Sequence, residues 1–391
     1  MIRGSNFKKL LIITDIGFSK RDYERFGLEQ IKKDFDLEIW DFTELFNSNF
    51  FKRNNEKTYS SFEKYKKIQS FEEFYKLVEI SKPKFAFDYM GSSMSAFKTR
   101  SFLQKNKVKV IKWQAGLMPE IKRTFSELIY KFYNNIFKPS SIKRKIYSLV
   151  NKNSFKYDIL IVTGKKGINE WDAKNAKNII YGHTINYEKY LHYEVKNNFT
   201  GNYFVFLDQY LPFHSYQYYR NVKPICTKEN YYNSINKFFE YFEKTFKQKI
   251  IISAHPRSTY EEMPKIYGSR EIIKNKTFDL IKNSNGVLAH TSTAISVAVL
   301  FRKPLIFLTT DEIRSSFDDF RIDSLSRDLS STLVNVDNSK SFIKLDKSNN
   351  IINVDEYKYK KFEESFIKHP NSDKKSIWDI FPGELKKLDT K

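Results

Sequence analysis

Short, uninterrupted apolar runs recur along this chain, each followed by a segment of helical periodicity, and that alternation leaves few folds open. Lys9-Leu-Leu-Ile-Ile-Thr14 is the first run; it ends in Asp15-Ile16-Gly17 and leads into a helical segment with Phe26, Leu28 and Ile31 set among charges. Residues 36–40, 84–88, 108–113, 157–163 and 178–181 repeat the strand pattern, with helices expected over 71–80 and 94–104. The second half restarts it at 202–208, adds a long Phe- and Tyr-rich helix over 229–246, and continues through strands at 249–253, 286–290, 304–308 and 331–335. A last helix over 356–367 is expected to pack back across a cleft, followed by a charged, frayed tail from Leu385. Runs with no polar alternation fit strands buried on both faces of a parallel sheet, for which the intervening helices supply the crossovers. The expected class is α/β with two Rossmann-like domains facing a central cleft: residues 1–195, residues 196–355, and a C-terminal helix and tail over 356–391, with the polar stretch 187–201 as linker.

The formal net charge of +22 needs a source, because charge of one sign repels itself in a compact state. An anionic partner is one explanation; a general richness in Lys and Asn along the whole chain is the other, and the two stay open. Nucleic acid is the weakest anionic partner, since the basic residues are scattered and no helix-turn-helix or aromatic–basic sheet motif occurs. A basic surface is most concentrated between Lys122 and Lys152, where Lys143, Arg144 and Lys145 follow Phe132, Ile136 and Phe137. Two basic amphipathic helices joined at Pro139 would give this pattern, as a solvated hairpin or as a peripheral contact with an anionic membrane. The single cysteine, Cys226, excludes an intrachain disulfide, and no apolar run approaches the roughly 20 residues that span a bilayer. These features lead us to expect a cytoplasmic protein, at most peripheral at the inner face of the membrane.

Polar residues at strand ends mark the expected site. One strand ends in His255-Pro256-Arg257; another ends in His290-Thr291-Ser292-Thr293, where a helix is expected to begin. In open α/β sheets ligands lie beyond the carboxyl ends of the strands, and a helix N-terminus presents unpaired N–H groups to a phosphate. His290 reads equally as a ligand or as a hydrogen-bonded structural histidine. Asp208-Gln209 and Asp88 end two further strands. The Gly164-Lys-Lys-Gly167 turn is more simply an exposed loop.

The ordered pair of His255-Pro256 and Ser292-Thr293 resembles the His-Pro and Ser/Thr motifs of bacterial GT-B-fold sialyltransferases and related transferases of CMP-activated nonulosonic acids. The resemblance, mainly over the C-terminal half, implies a GT-B enzyme that transfers such a sugar with inversion to a surface glycan or lipid-linked acceptor. It implies phosphate contacts from His255, Pro256, Arg257, His290, Thr291, Ser292 and Thr293, and a general base. Asp208 keeps only the first acid of that family's acidic motif, and Asp88 keeps an acid at a different spacing before Gly91, so either stands as the base. No cofactor beyond the CMP-sugar substrate is implied, and no metal: the six histidines show no pair at helical ligand spacing. A GT-B transferase using a UDP or GDP sugar is the alternative.

Overall fold

The computed structural model describes residues 8–48, 62–119, 155–194, 199, 201–214, 217, 223–315, 319–346 and 353–389. The basic segment between Lys122 and Lys152 lies outside the described residues. Two wholly parallel sheets form the molecule. The first is built from β1 (Lys8–Thr14), β2 (Phe35–Asp41), β3 (Tyr65–Lys67), β4 (Phe85–Tyr89), β5 (Lys109–Trp113), β6 (Ile159–Val162) and β7 (Ile179–Tyr181), in the order β3-β2-β1-β4-β5-β6-β7. The second is built from β8 (Tyr203–Leu207), β9 (Lys249–Ala254), β10 (Ile272–Lys274), β11 (Gly286–Ala289), β12 (Leu305–Thr309) and β13 (Thr332–Asn335), in the order β10-β9-β8-β11-β12-β13. The expected class, two Rossmann-like α/β domains, is what the chain adopts. In both sheets the first strand is central and the order reverses beside it, which opens a crevice at the strand ends.

β1 shows why the runs had to be continuous. Leu10 and Ile12 belong to one core and Leu11 and Ile13 to another, on the opposite face of the sheet. Period-two side chains therefore need apolar residues at every position. In the second domain all of β8 is buried, and the Lys228–Phe246 helix covers its sheet with Tyr231, Tyr232, Ile235, Phe238, Phe239 and Phe242. Those positions recur at three- and four-residue steps, so they share one stripe.

The C-terminal segment departs from expectation. The Glu356–Phe362 helix stays on the second domain, where Tyr359, Phe362, Phe366 and Ile367 join its core. A further helix, Ile377–Asp389, crosses back, and Ile377, Trp378, Phe381 and Leu385 fill the core of the first domain. Leu385, expected in a frayed tail, is buried. Trp378 donates its indole N–H to the Phe26 carbonyl. A Cβ on Gly27, whose φ is +65°, would lie 2.8 Å from that indole nitrogen. Glycine here supplies both a left-handed turn and the space for tryptophan.

The two crossings run side by side, with His183 bridged antiparallel to Lys368. Glu188 is their buried clasp: it accepts from His183 Nε2 (2.8 Å), Ser376 Oγ (2.7 Å) and the Ile377 N–H (2.8 Å). Burial opposes its ionisation, but these hydrogen bonds, with the nearby imidazole, hold its pKa below the usual glutamate value. Among the described residues no helix is long and apolar enough to cross a membrane.

Candidate active site between the two sheets

At the end of β9 the chain turns sharply. The Ser258 N–H donates to the His255 carbonyl at 2.9 Å, closing a β-turn with Pro256 in its second position. The fixed φ of proline suits that position, so Pro256 shapes the loop that presents its neighbours. His255 Nδ1 accepts from the Arg257 N–H at 3.2 Å, which places the proton of a neutral ring on Nε2. Its pKa is pushed down to about 2, by burial first and then by His214, Arg257, Arg21 and Lys274. His255 is thus a neutral donor at physiological pH rather than a ready acid.

His214 follows the short Leu211–Phe213 turn, and its ring centroid lies 4.9 Å from that of His255. From the opposite domain, the Lys20–Arg25 helix brings Arg21 within electrostatic reach of His255. Tyr89, at the end of β4, feels Arg25, Arg21 and, from the facing domain, Arg257. Three guanidinium groups from two domains are thus within electrostatic reach of Tyr89, and two of them, Arg21 (3.5 Å) and Arg25 (3.7 Å), also pair with Asp22. His255 and Arg257, expected to bind phosphate, stand at the end of β9 within reach of Arg21 and His214, which had no local motif to announce them.

The loop after β11 divides its residues between support and display. His290 is 1% exposed. Its Nδ1 donates to the Leu308 carbonyl (2.6 Å), so its Nε2 accepts from the Tyr231 hydroxyl (3.0 Å). Burial lowers its pKa to about 4. Of the two readings of His290, the structure takes the structural one: both nitrogens are spent on core groups and neither faces the crevice. Thr291 donates its N–H to Gln209 Oε1 at 2.8 Å, which fastens the loop to the end of β8. The helix that follows begins later than expected, at Ile295, with Ala294 as its cap. Ser292 and Thr293 therefore sit in a turn: Ser292 Oγ accepts from the Ala294 N–H, while the Ser292 and Thr293 N–H groups bond to no described residue. Thr293 faces the other domain. A Cβ on Gly116 would meet its Cγ2 at 3.4 Å, and Asn186 donates to its carbonyl at 2.8 Å.

Neither expected base has the surroundings of one. Asp208 accepts four hydrogen bonds: from the Tyr210 N–H and the Tyr267 hydroxyl on Oδ1 (both 2.9 Å), and from the His255 N–H (3.1 Å) and the Tyr260 hydroxyl (2.9 Å) on Oδ2. Burial raises its pKa against the opposing pull of these bonds. Asp88 likewise accepts from Arg100 through Nε (2.7 Å) and a second nitrogen (3.2 Å), from the Tyr157 hydroxyl (2.8 Å) and from the Met90 N–H (3.1 Å). With four donors on two oxygens each carboxylate is saturated, and a substrate hydroxyl would have to displace a buried partner. The two acids share a supporting role: Asp208 fixes the backbone of His255, and Asp88 with Arg100 fixes residues 90–91, whose carbonyls Arg100 also binds. Among the described residues no group of three or more His, Cys, Asp or Glu is placed to hold a metal ion.

No protein-family model and no curated protein sequence matches this chain. Solved structures do match its fold over nearly its whole length. UDP-GlcNAc 2-epimerase from Methanocaldococcus jannaschii is 16% identical over 97% of this chain and 99% of that one, with a TM-score of 0.53. The S. aureus MnaA–UDP co-structure is 14% identical over 98% and 97%, with a TM-score of 0.55. UDP-GlcNAc 2-epimerase from Neisseria meningitidis, bound to UDP-GlcNAc, is 14% identical over 97% and 100%, with a TM-score of 0.52. At this identity the likeness is one of fold, and it agrees with the GT-B-like pairing of two Rossmann-like domains.

Proposed function

We propose that this protein transfers a sugar from a nucleotide-activated donor bound in the cleft, and that the donor nucleotide is UDP. The observation that carries the reading is that the end of β8 fastens two loops, one carrying the neutral donor His255 and Arg257, the other the unpaired N–H groups of Ser292 and Thr293, with Arg21 of the first domain in electrostatic reach of His255. Breaking a glycosyl–phosphate bond leaves negative charge on the departing diphosphate, and prearranged cations and N–H donors lower the barrier by meeting that charge as it forms. Uridine is favoured over cytidine because two of the fold's solved relatives carry UDP or UDP-GlcNAc. In this reading Asp208 and Asp88 position the site, the new glycosyl–oxygen bond replaces the broken glycosyl–phosphate bond, and the acceptor hydroxyl gives its proton to the departing UDP phosphate.

A CMP-activated nonulosonic acid is the second reading, supported by the ordered His255-Pro256 and Ser292-Thr293 pair. One titration separates the two. Ligand at 100 times its Kd stabilises the native state by about 2.7 kcal/mol, so UDP, CMP and GDP are added in a thermal-shift series. UDP is expected to give the largest shift, reduced in Arg257→Ala. A shift with CMP alone installs the second reading, and no shift with any nucleotide overturns both.

A further inference from the structure

A cavity of about 400 Å³ is lined by none of the crevice residues. Lys166 and Met118 come from the first domain; Arg327 comes from the Asp319–Asp328 helix; Lys358, Lys361 and Phe362 come from the Glu356–Phe362 helix. Its volume is in the range of small-molecule sites, and it sits between two domains, where such sites concentrate. A Cβ on Gly116 would meet Thr293, and Met118, two residues further on, lines the cavity, so one short stretch of chain links it to the loop after β11.

Charge and apolarity are segregated in its lining. Lys166, Lys358 and Lys361 make no side-chain ion pair within the described residues, and the Arg327 guanidinium reaches only Ser324 Oγ, at 3.5 Å. Glu170 and Asp328 are the acids on the wall, so the cations outnumber them by two (four less two). The four cations come from three separate elements, and their excess over the two acids makes the lining attractive to an anion. Phe362, Phe366 and Met118 supply an apolar wall beside the cations. Phe362 and Phe366 are themselves anchored in the second core, so this wall is rigid.

We propose that this cavity seats the acceptor of the transfer, and that the acceptor is a phosphate-bearing amphiphile. The phosphate meets Lys166, Arg327, Lys358 and Lys361, and the apolar portion lies on Met118, Phe362 and Phe366. The assignment of the ligand as acceptor rests on the nucleotide-sugar reading above; the binding chemistry does not. In this arrangement an anionic acceptor and an anionic donor are each held by their own cations.

Calorimetric titration of the full chain tests this with four probes: geranyl phosphate, geraniol, glucose 1-phosphate and inorganic phosphate. Geranyl phosphate is expected to bind at least tenfold more tightly than each of the others, and to bind equally well with saturating UDP present. Arg327→Glu combined with Lys361→Glu, two exposed positions whose change leaves the core untouched, is expected to weaken geranyl phosphate at least tenfold while UDP affinity stays within twofold. Equal binding of geraniol removes the cationic half of the proposal, and equal binding of glucose 1-phosphate or inorganic phosphate removes the apolar half. Unaltered binding by the double variant, or competition from UDP, overturns the cavity as the seat. If geranyl phosphate behaves as expected but UDP does not bind the wild type, the donor reading fails and the cavity stands.

Discussion

Replacing Asp208 with asparagine gives the sharpest test of how the donor site is held. Each carboxylate oxygen accepts one backbone N–H, Tyr210 on Oδ1 and His255 on Oδ2. Tyrosine hydroxyls rotate and can accept from an amide, but a backbone N–H cannot. Whichever way the introduced amide is turned, its NH2 faces one of those two N–H groups and leaves it buried without a partner. An unsatisfied buried donor costs about 1–3 kcal/mol. At the low end of the expected sensitivity, roughly 2–4 °C per kcal/mol, a loss of about 2 kcal/mol lowers Tm by roughly 4–8 °C. If the orphaned group is the His255 N–H, the turn at residues 255–258 shifts and UDP binding weakens, about tenfold for each 1.4 kcal/mol lost. Thermal unfolding with and without UDP reads both effects. Tyr260→Phe is the control: it removes one rotatable donor, orphans no backbone group, and should cost about 1 kcal/mol. An Asp208→Asn protein with wild-type Tm and wild-type UDP affinity would refute the assignment of Asp208 as the anchor of His255.

Three further outcomes follow from the same geometry. His255→Gln restores a neutral N–H donor and should keep UDP affinity within about threefold, whereas His255→Ala should lose roughly tenfold or more, as befits one hydrogen bond to a charged group; equal losses in the two would contradict a neutral-donor role. Asp88→Asn strips the partner charge from the buried Arg100 and should destabilise by about 3–5 kcal/mol in denaturant unfolding, while a stable but inactive variant would restore Asp88 as a candidate base. Glu188, whose folded pKa lies below the ordinary glutamate value of 4.5, contributes stability that is fully present above that value and is lost as pH falls below it. Glu188→Gln should remove this dependence, so parallel unfolding profiles for the two proteins between about pH 6 and about pH 3 would sink the clasp.

Much of this architecture was written in local pattern. Strands β1, β4, β8 and β9 were legible because burial on both faces demands unbroken apolar runs, and the placing of His255 and Thr293 beyond strand ends was legible from where those runs stop. β3 and β10 were not: each is three residues long at a sheet edge, with too little burial to impose a pattern. The Ile377–Asp389 helix was hidden by the Pro382-Gly383 pair inside it and by the charges that follow. The roles of Asp208 and Asp88 were misread for a different reason. The groups that saturate them, Tyr260 and Tyr267 for one and Arg100 and Tyr157 for the other, lie 12 to 69 positions away in sequence. Arg21 comes within reach of His255 only because two domains meet, an event with no local signature.

The return of Ile377–Asp389 to the first domain fixes an order of assembly. The second domain's core runs through one continuous stretch that ends at Ile367, so it can close as soon as that residue leaves the ribosome. The first domain is synthesised earlier yet finishes later, because Trp378 and Phe381 belong to its core. Until they arrive, Phe26, Phe35 and Phe87 present an aromatic face to solvent. Loss of residues 377–391 would therefore act at the far end of the chain from the cut, leaving a sound C-terminal half attached to an N-terminal half prone to capture by chaperones and proteases.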